Sequence, residues 1–129
     1  MKKLLFAILL LLLILSPIYA EEPSKISIPE RFRGLWRNDS EILEVTENNL
    51  YSNGMPLWDS LNTAIEEGRL LCYPRESNGA YTILLLNPDL NTYISYIFAL
   101  EDERYLLLGR NNSEKGPFSS MQYRYWPIE

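Results

Sequence analysis

From Arg31 onward, apolar and polar positions alternate in short runs, broken at even intervals by Asn, Asp, Ser and Gly. Residues 35–38, 41–46 and 49–51 read as strands, with Asp39-Ser40 and Glu47-Asn48 as the turns between them and Ser52-Asn53-Gly54 closing the third. Residues 59–67 break this rhythm: Asp59 suits a helix N-cap, Leu61, Ala64 and Ile65 recur at helical spacing, and Gly68 is a good stop. The strand pattern then resumes over 69–75, 81–86, 92–100, 104–109 and 118–126, punctuated by Ser77-Asn78-Gly79, Asn87-Pro88-Asp89 and Glu101-Asp102-Glu103. The pattern predicts an all-β domain: a single antiparallel meander of about eight strands closed into a small barrel, with one short helix around 59–67.

The alternation also assigns faces. In the last predicted strand Met121, Tyr123 and Tyr125 share one side, and Gln122, Arg124 and Trp126 share the other. The middle strands lack this contrast, because Leu84-Leu85-Leu86, Ile97-Phe98 and Leu106-Leu107-Leu108 are apolar on both faces. Such strands need cover on their outer face, from the 59–67 helix or from a second subunit.

The first residues follow a different logic. Met1-Lys2-Lys3 is basic, an unbroken apolar run follows from Leu4 to Leu15, and Ser16-Pro17-Ile18-Tyr19-Ala20 precedes Glu21-Glu22. This is the layout of a secretory signal peptide cleaved after Ala20, and the run is shorter than the roughly 20 residues of a spanning helix. The expected organisation is a signal peptide over 1–20, a short flexible lead-in over 21–28, and one domain over 29–129. The mature protein is then exported, periplasmic or secreted, with no stable membrane anchor. The full chain carries 12 basic and 17 acidic residues, and losing Lys2 and Lys3 makes the mature form more acidic still. An acidic surface argues against nucleic acid and anionic membranes as partners. The single cysteine, Cys72, allows no internal disulfide, and its neighbours Leu71 and Tyr73 mark it as a small buried hydrophobe.

A predicted one-turn helix over 29–32, then Gly34-x-Trp36 in a first strand, then an antiparallel meander, resembles the lipocalin and lipocalin-like group. The resemblance implies that Gly34 and Trp36 open the barrel, that Trp36 plugs its closed end, and that an arginine of the last strand, here Arg124, lies over the indole ring. Gly34 would give the backbone room at a curved floor, and a guanidinium on the indole would add a contact of roughly 0.5–2 kcal/mol.

The chain contains no histidine, which removes Ser-His-Asp and Cys-His catalysis and most zinc and copper sites. No Gly-rich phosphate loop is present, and the carboxylates of Glu66-Glu67 and 101–103 read as solvated faces. The expectation is a protein with no catalytic residues, no metal and no cofactor. The aromatic residues carry the positive signal: Trp58, Tyr81, Tyr96, Tyr105 and Tyr123 are the candidate ligand-binding residues, lining a pocket that is apolar in body and polar at the rim. The pocket would open opposite Trp36, with residues 53–58 as its lid. Two functions follow from this pattern. One is a non-catalytic lipocalin-like protein that binds a small apolar or amphipathic molecule. The other is an envelope protein-interaction module, an inhibitor or accessory subunit with a filled barrel, docking a protein partner or a second copy through strands such as 84–86 and 97–98.

Overall fold

The computed structural model describes residues 23–113 and 121–128; the expected signal peptide and the first residues of the last predicted strand, 118–120, lie outside them. A 3-10 turn at Glu30–Phe32 leads into strands β1 (Gly34–Arg37), β2 (Ile42–Val45), β3 (Leu50–Ser52) and β4 (Met55–Pro56). Helix α1 (Asp59–Glu66) follows, then β5 (Leu71–Ser77), β6 (Ala80–Asn87), β7 (Thr92–Glu101), β8 (Tyr105–Asn112) and β9 (Met121–Pro127). The hairpin turns sit where their residues require. Asn53 and Gly54, and Asn78 and Gly79, all have positive φ, a conformation that Asn and Gly tolerate best.

All nine strands among the described residues form one antiparallel sheet in the order β4-β3-β2-β1-β9-β8-β7-β6-β5. The meander and its single helix are as the pattern predicts, but the predicted closure into a barrel is overturned. The sheet curls into a half-barrel whose edges, β4 and β5, stand 18 Å apart. Two features of the chain account for this. The edge strand β4 is only two residues long, and each edge strand holds a proline, Pro56 in β4 and Pro74 in β5. Proline has no N–H to give to a ladder, so it belongs on an edge. Because β4 and β5 are consecutive strands, the chain must cross from one edge to the other, and α1 makes that crossing.

The N-terminal segment occupies the same region. The Ser24 amide donates to the Cys72 carbonyl on the free edge of β5, and the Ile28 amide donates to the Glu47 carbonyl at the β2–β3 turn. Ile26 and Ile28 are core residues, so the part of the expected lead-in that is described, 23–28, is packed against the domain.

Strand register divides the concave face from the convex one. Trp36 pairs with Leu43 and Pro127, Leu106 with Tyr125, Phe98 with Leu108 and Tyr81, and Ile83 with Tyr96. These residues all face inward. The core is built around Phe98, whose ring lies 5.8 Å from Phe32, 6.1 Å from Trp58 and 6.3 Å from Tyr81. Helix α1 packs Leu61 and Ile65 against this inner cluster and buries Ala64. It therefore does not cover the convex face, where Leu84 and Ile97 remain 36% and 44% exposed.

Candidate functional site

Along β7, β8 and β9 the inward column changes character, while on β6 Tyr81, Ile83 and Leu85 stay buried throughout. On β7 it runs from Leu100 through Phe98 to Tyr96, on β8 from Leu106 through Leu108 to Arg110, and on β9 from Tyr125 to Tyr123. Phe98, Leu106 and Tyr125 are buried, whereas Tyr123 and Arg110 are exposed. The half-barrel is thus packed solid at the end held by Phe32, Phe98 and Tyr81, and open at the other.

The open end contains a cavity of about 370 Å³, within the range of small-molecule sites. Its apolar wall is Leu43, Leu50, Leu57, Trp58 and Leu108, and its polar rim includes Glu41, Ser52, Arg110, Tyr96, Tyr123 and Tyr125. Trp58 forms the boundary with the solid end, 1% exposed, its ring edge-on to Phe98 and 4.9 Å from Tyr96. A second hollow of about 250 Å³ lies on the convex face over Gly109, between Ile97, Leu107 and Gln122. It exists because Gly109 has no side chain to fill it, and no aromatic ring lines it.

Asn49 holds Trp58 in place. It is buried, its side-chain carbonyl accepts from the amides of Leu50 and Trp58, and its amide group donates to the Asp59 carboxylate at 2.7 Å. This one side chain ties the start of α1 to β3 and presents the indole to the cavity. Asp59 consequently serves as a partner of Asn49, and Trp58 takes the N-cap position without a side-chain cap.

Across the cavity, Glu41 accepts hydrogen bonds from two hydroxyls, Tyr125 on β9 and Ser52 on β3. Burial, and then the bond to Glu41, push the Tyr125 phenol well above the ordinary tyrosine range. This clip spans β1 and β2 on the concave side and fixes the curl of the sheet. Arg110 has no such arrangement. It lines the same cavity and lies over the Tyr96 ring at 5.9 Å, yet it pairs with no carboxylate among the described residues.

The sequence-predicted residues are distributed unevenly. Trp58, Tyr96 and Tyr123 meet at the cavity. Tyr81 belongs to the solid end, buried beside Phe98, with its hydroxyl lacking a hydrogen-bond partner among the described residues. Tyr105 faces outward, because it pairs with Glu101 one position out of phase with the inward pair Leu106–Tyr125. Of the suggested lid, 53–58, Leu57 and Trp58 line the cavity while Met55 stays exposed.

Trp36 is buried on the concave face and donates its indole N–H to the Phe32 carbonyl at 2.9 Å. Arg124 sits on the opposite face of the sheet, 4.3 Å above the Tyr105 ring and paired with Glu101 at 2.9 Å. Register gives the reason: Pro127 pairs with Trp36, so on β9 Pro127, Tyr125 and Tyr123 share the face of Trp36 and Arg124 does not. Gly34 has φ +131° and open space where a Cβ would stand, so its backbone conformation, and not crowding, calls for glycine.

Glu41, Asn49 and Arg110 were not among the candidates read from the sequence. Arg110 was the most legible of them, since it stands two and four residues beyond Leu108 and Leu106 on one strand face. Among the described residues no group of His, Cys, Asp and Glu is arranged to hold a metal, and no helix is long and apolar enough to cross a membrane. Cys72 is free and buried, and burial pushes its thiol up to about 11. In comparisons with known proteins, no family model matches the chain, and no curated protein or solved structure is significantly similar to it.

Proposed function

We propose that this is an exported, non-catalytic protein, lipocalin-like in use, that holds a small apolar or amphipathic molecule in the open end of its half-barrel. The observation that carries the reading is the change along the inward columns, from close-packed Phe98 and Leu106 to a cavity of about 370 Å³ walled by Trp58 and leucines. A sheet that only needed a core would continue the packing to both ends. Here the aromatic side chains stop short and leave a concave, mostly apolar space with a polar rim, the usual build of a small-molecule site. Absence of histidine supports binding without turnover. Export rests on the basic, apolar and small-residue order of residues 1–20.

A second reading, an envelope protein-interaction module, draws on a different observation. The convex apolar stripe of Leu84 and Ile97 stays uncovered because α1 packs on the concave side.

Native mass spectrometry of the protein, released from the periplasm of an expression host without denaturation, separates the two. The binding reading predicts a monomer that loses a few hundred daltons on denaturation (roughly the mass of a drug-sized ligand). A homogeneous dimer carrying no small molecule contradicts it and favours the interaction module.

A further inference from the structure

We infer that the molecule held at the open end is a single-tailed amphiphile with an anionic head, and that Arg110 reads the head. The inference rests on the binding reading above and adds the chemistry of the ligand. Three observations carry it. First, Arg110 occupies an inward position of β8, opposite Tyr96 and next in its column to Leu108, where the alternation otherwise places apolar residues. Its guanidinium carbon stands 5.9 Å from the Tyr96 ring centroid, a cation set among the residues that line the cavity.

Second, among the described residues Arg110 has no carboxylate partner, a state it shares with Arg33, Arg37, Arg75 and Arg104, but of these it alone lines this cavity. Third, Glu41 lines the same cavity, and its two oxygens are taken by Tyr125 and Ser52 rather than by Arg110. Among the described residues, the carboxylate that lines the cavity is thus committed to the clip that shapes the sheet, and the cation that lines it has no carboxylate on its planar donor fork. A guanidinium in that state fits a carboxylate or a phosphate monoester, which it can engage with two parallel hydrogen bonds. Leu43, Leu50 and Trp58 then receive the tail.

The test compares dodecanoate, dodecyl phosphate and dodecan-1-ol, each below its critical micelle concentration, by isothermal titration to the delipidated full-length mature protein. The same titrations are run on Arg110→Gln and Arg110→Lys, with near-ultraviolet circular dichroism confirming an intact fold. The expected result is that the unsubstituted protein prefers at least one anionic ligand over the alcohol by about tenfold or more. That ratio should fall to near one in Arg110→Gln and recover in part in Arg110→Lys. Preference for the carboxylate or for the phosphate tells a fatty-acid head from a phosphorylated one, and either supports the inference. Equal binding of alcohol and anions, or a preference that survives in Arg110→Gln, overturns the role of Arg110 while leaving the pocket standing. Failure of all three ligands to bind the unsubstituted protein overturns the binding reading itself.

Discussion

The two ends of the half-barrel are built from the same strands and differ in what those strands place inward. At the solid end, Phe32, Tyr81 and Trp58 converge on Phe98, with Ile28 and Leu106 fully buried nearby. At the open end the inward positions are Tyr96, two residues from Phe98, Arg110, four from Leu106, and Tyr123, two from Tyr125. The first set excludes water and stabilises the fold. The second set has apolar bodies and polar tips, and surrounds a space it does not fill. If the open end binds as proposed, stability and recognition are separated along the strand axis, and substitutions should separate them too.

The largest expected effect comes from Phe98. Phe98→Ala removes the ring on which three other aromatics pack and should cost about 3–5 kcal/mol in urea unfolding. Tyr123→Ala, on the same concave face but 39% exposed, should cost less than about 1 kcal/mol. Comparable losses for the two would erase the distinction between the ends.

Asn49→Ala comes next. It strips a partner from the buried amides of Leu50 and Trp58 and from Asp59, and should cost roughly 2–3 kcal/mol. It should also loosen the indole of Trp58 at the cavity wall, seen as a red shift in tryptophan emission before unfolding begins.

Cys72 gives a smaller effect that depends on pH. Burial raises its folded pKa to about 11 from the ordinary thiol value of 9.0, so the folded state resists forming the thiolate that the unfolded chain forms readily. The associated stability is complete below about pH 9 and is lost as pH rises towards 11. Cys72→Ala should therefore show a shallower fall in stability than the unsubstituted protein over that window. Identical slopes would mean that the thiol titrates alike in both states.

The smallest effect is expected at Tyr81. Burial raises the pKa of its phenol, and the nearby Ser27 backbone partly offsets this without making a hydrogen bond of normal geometry. Tyr81→Phe should thus be neutral or stabilise by up to about 1 kcal/mol. A loss larger than that in thermal unfolding would reveal a partner for the hydroxyl.

Much of this architecture is legible in the residue pattern. The strands follow from alternation, the turns from Asn-Gly pairs with positive φ, and the two faces of β9 from its period of two. Tyr96 and Tyr123 are found at the cavity for the same reason, whereas Trp58, at the N-cap of α1, is set there by Asn49. Closure is not legible from alternation, because it depends on whether the two edge strands meet. The signals against it were Pro56 and Pro74, each of which denies its edge strand a donor. The outward position of Arg124 follows from its pairing phase with β1, which no single strand reveals. Glu41 acts through Tyr125, 84 residues away, and Asn49 through Trp58 across the β3–α1 connection, so neither role can be read from strand alternation.

The central claim is that the concave open end, and not the convex face, holds the small molecule. Titrating isotope-labelled protein with dodecanoate and following amide and indole resonances by NMR tests it most directly. The account predicts that the Trp58 indole and the amides of Tyr96 and Tyr123 shift together and saturably, while those of Ala99 and Leu107 on the convex face do not follow. Saturable shifts centred on Ala99, Leu107 and Gly109, with the Trp58 indole unmoved, would contradict it.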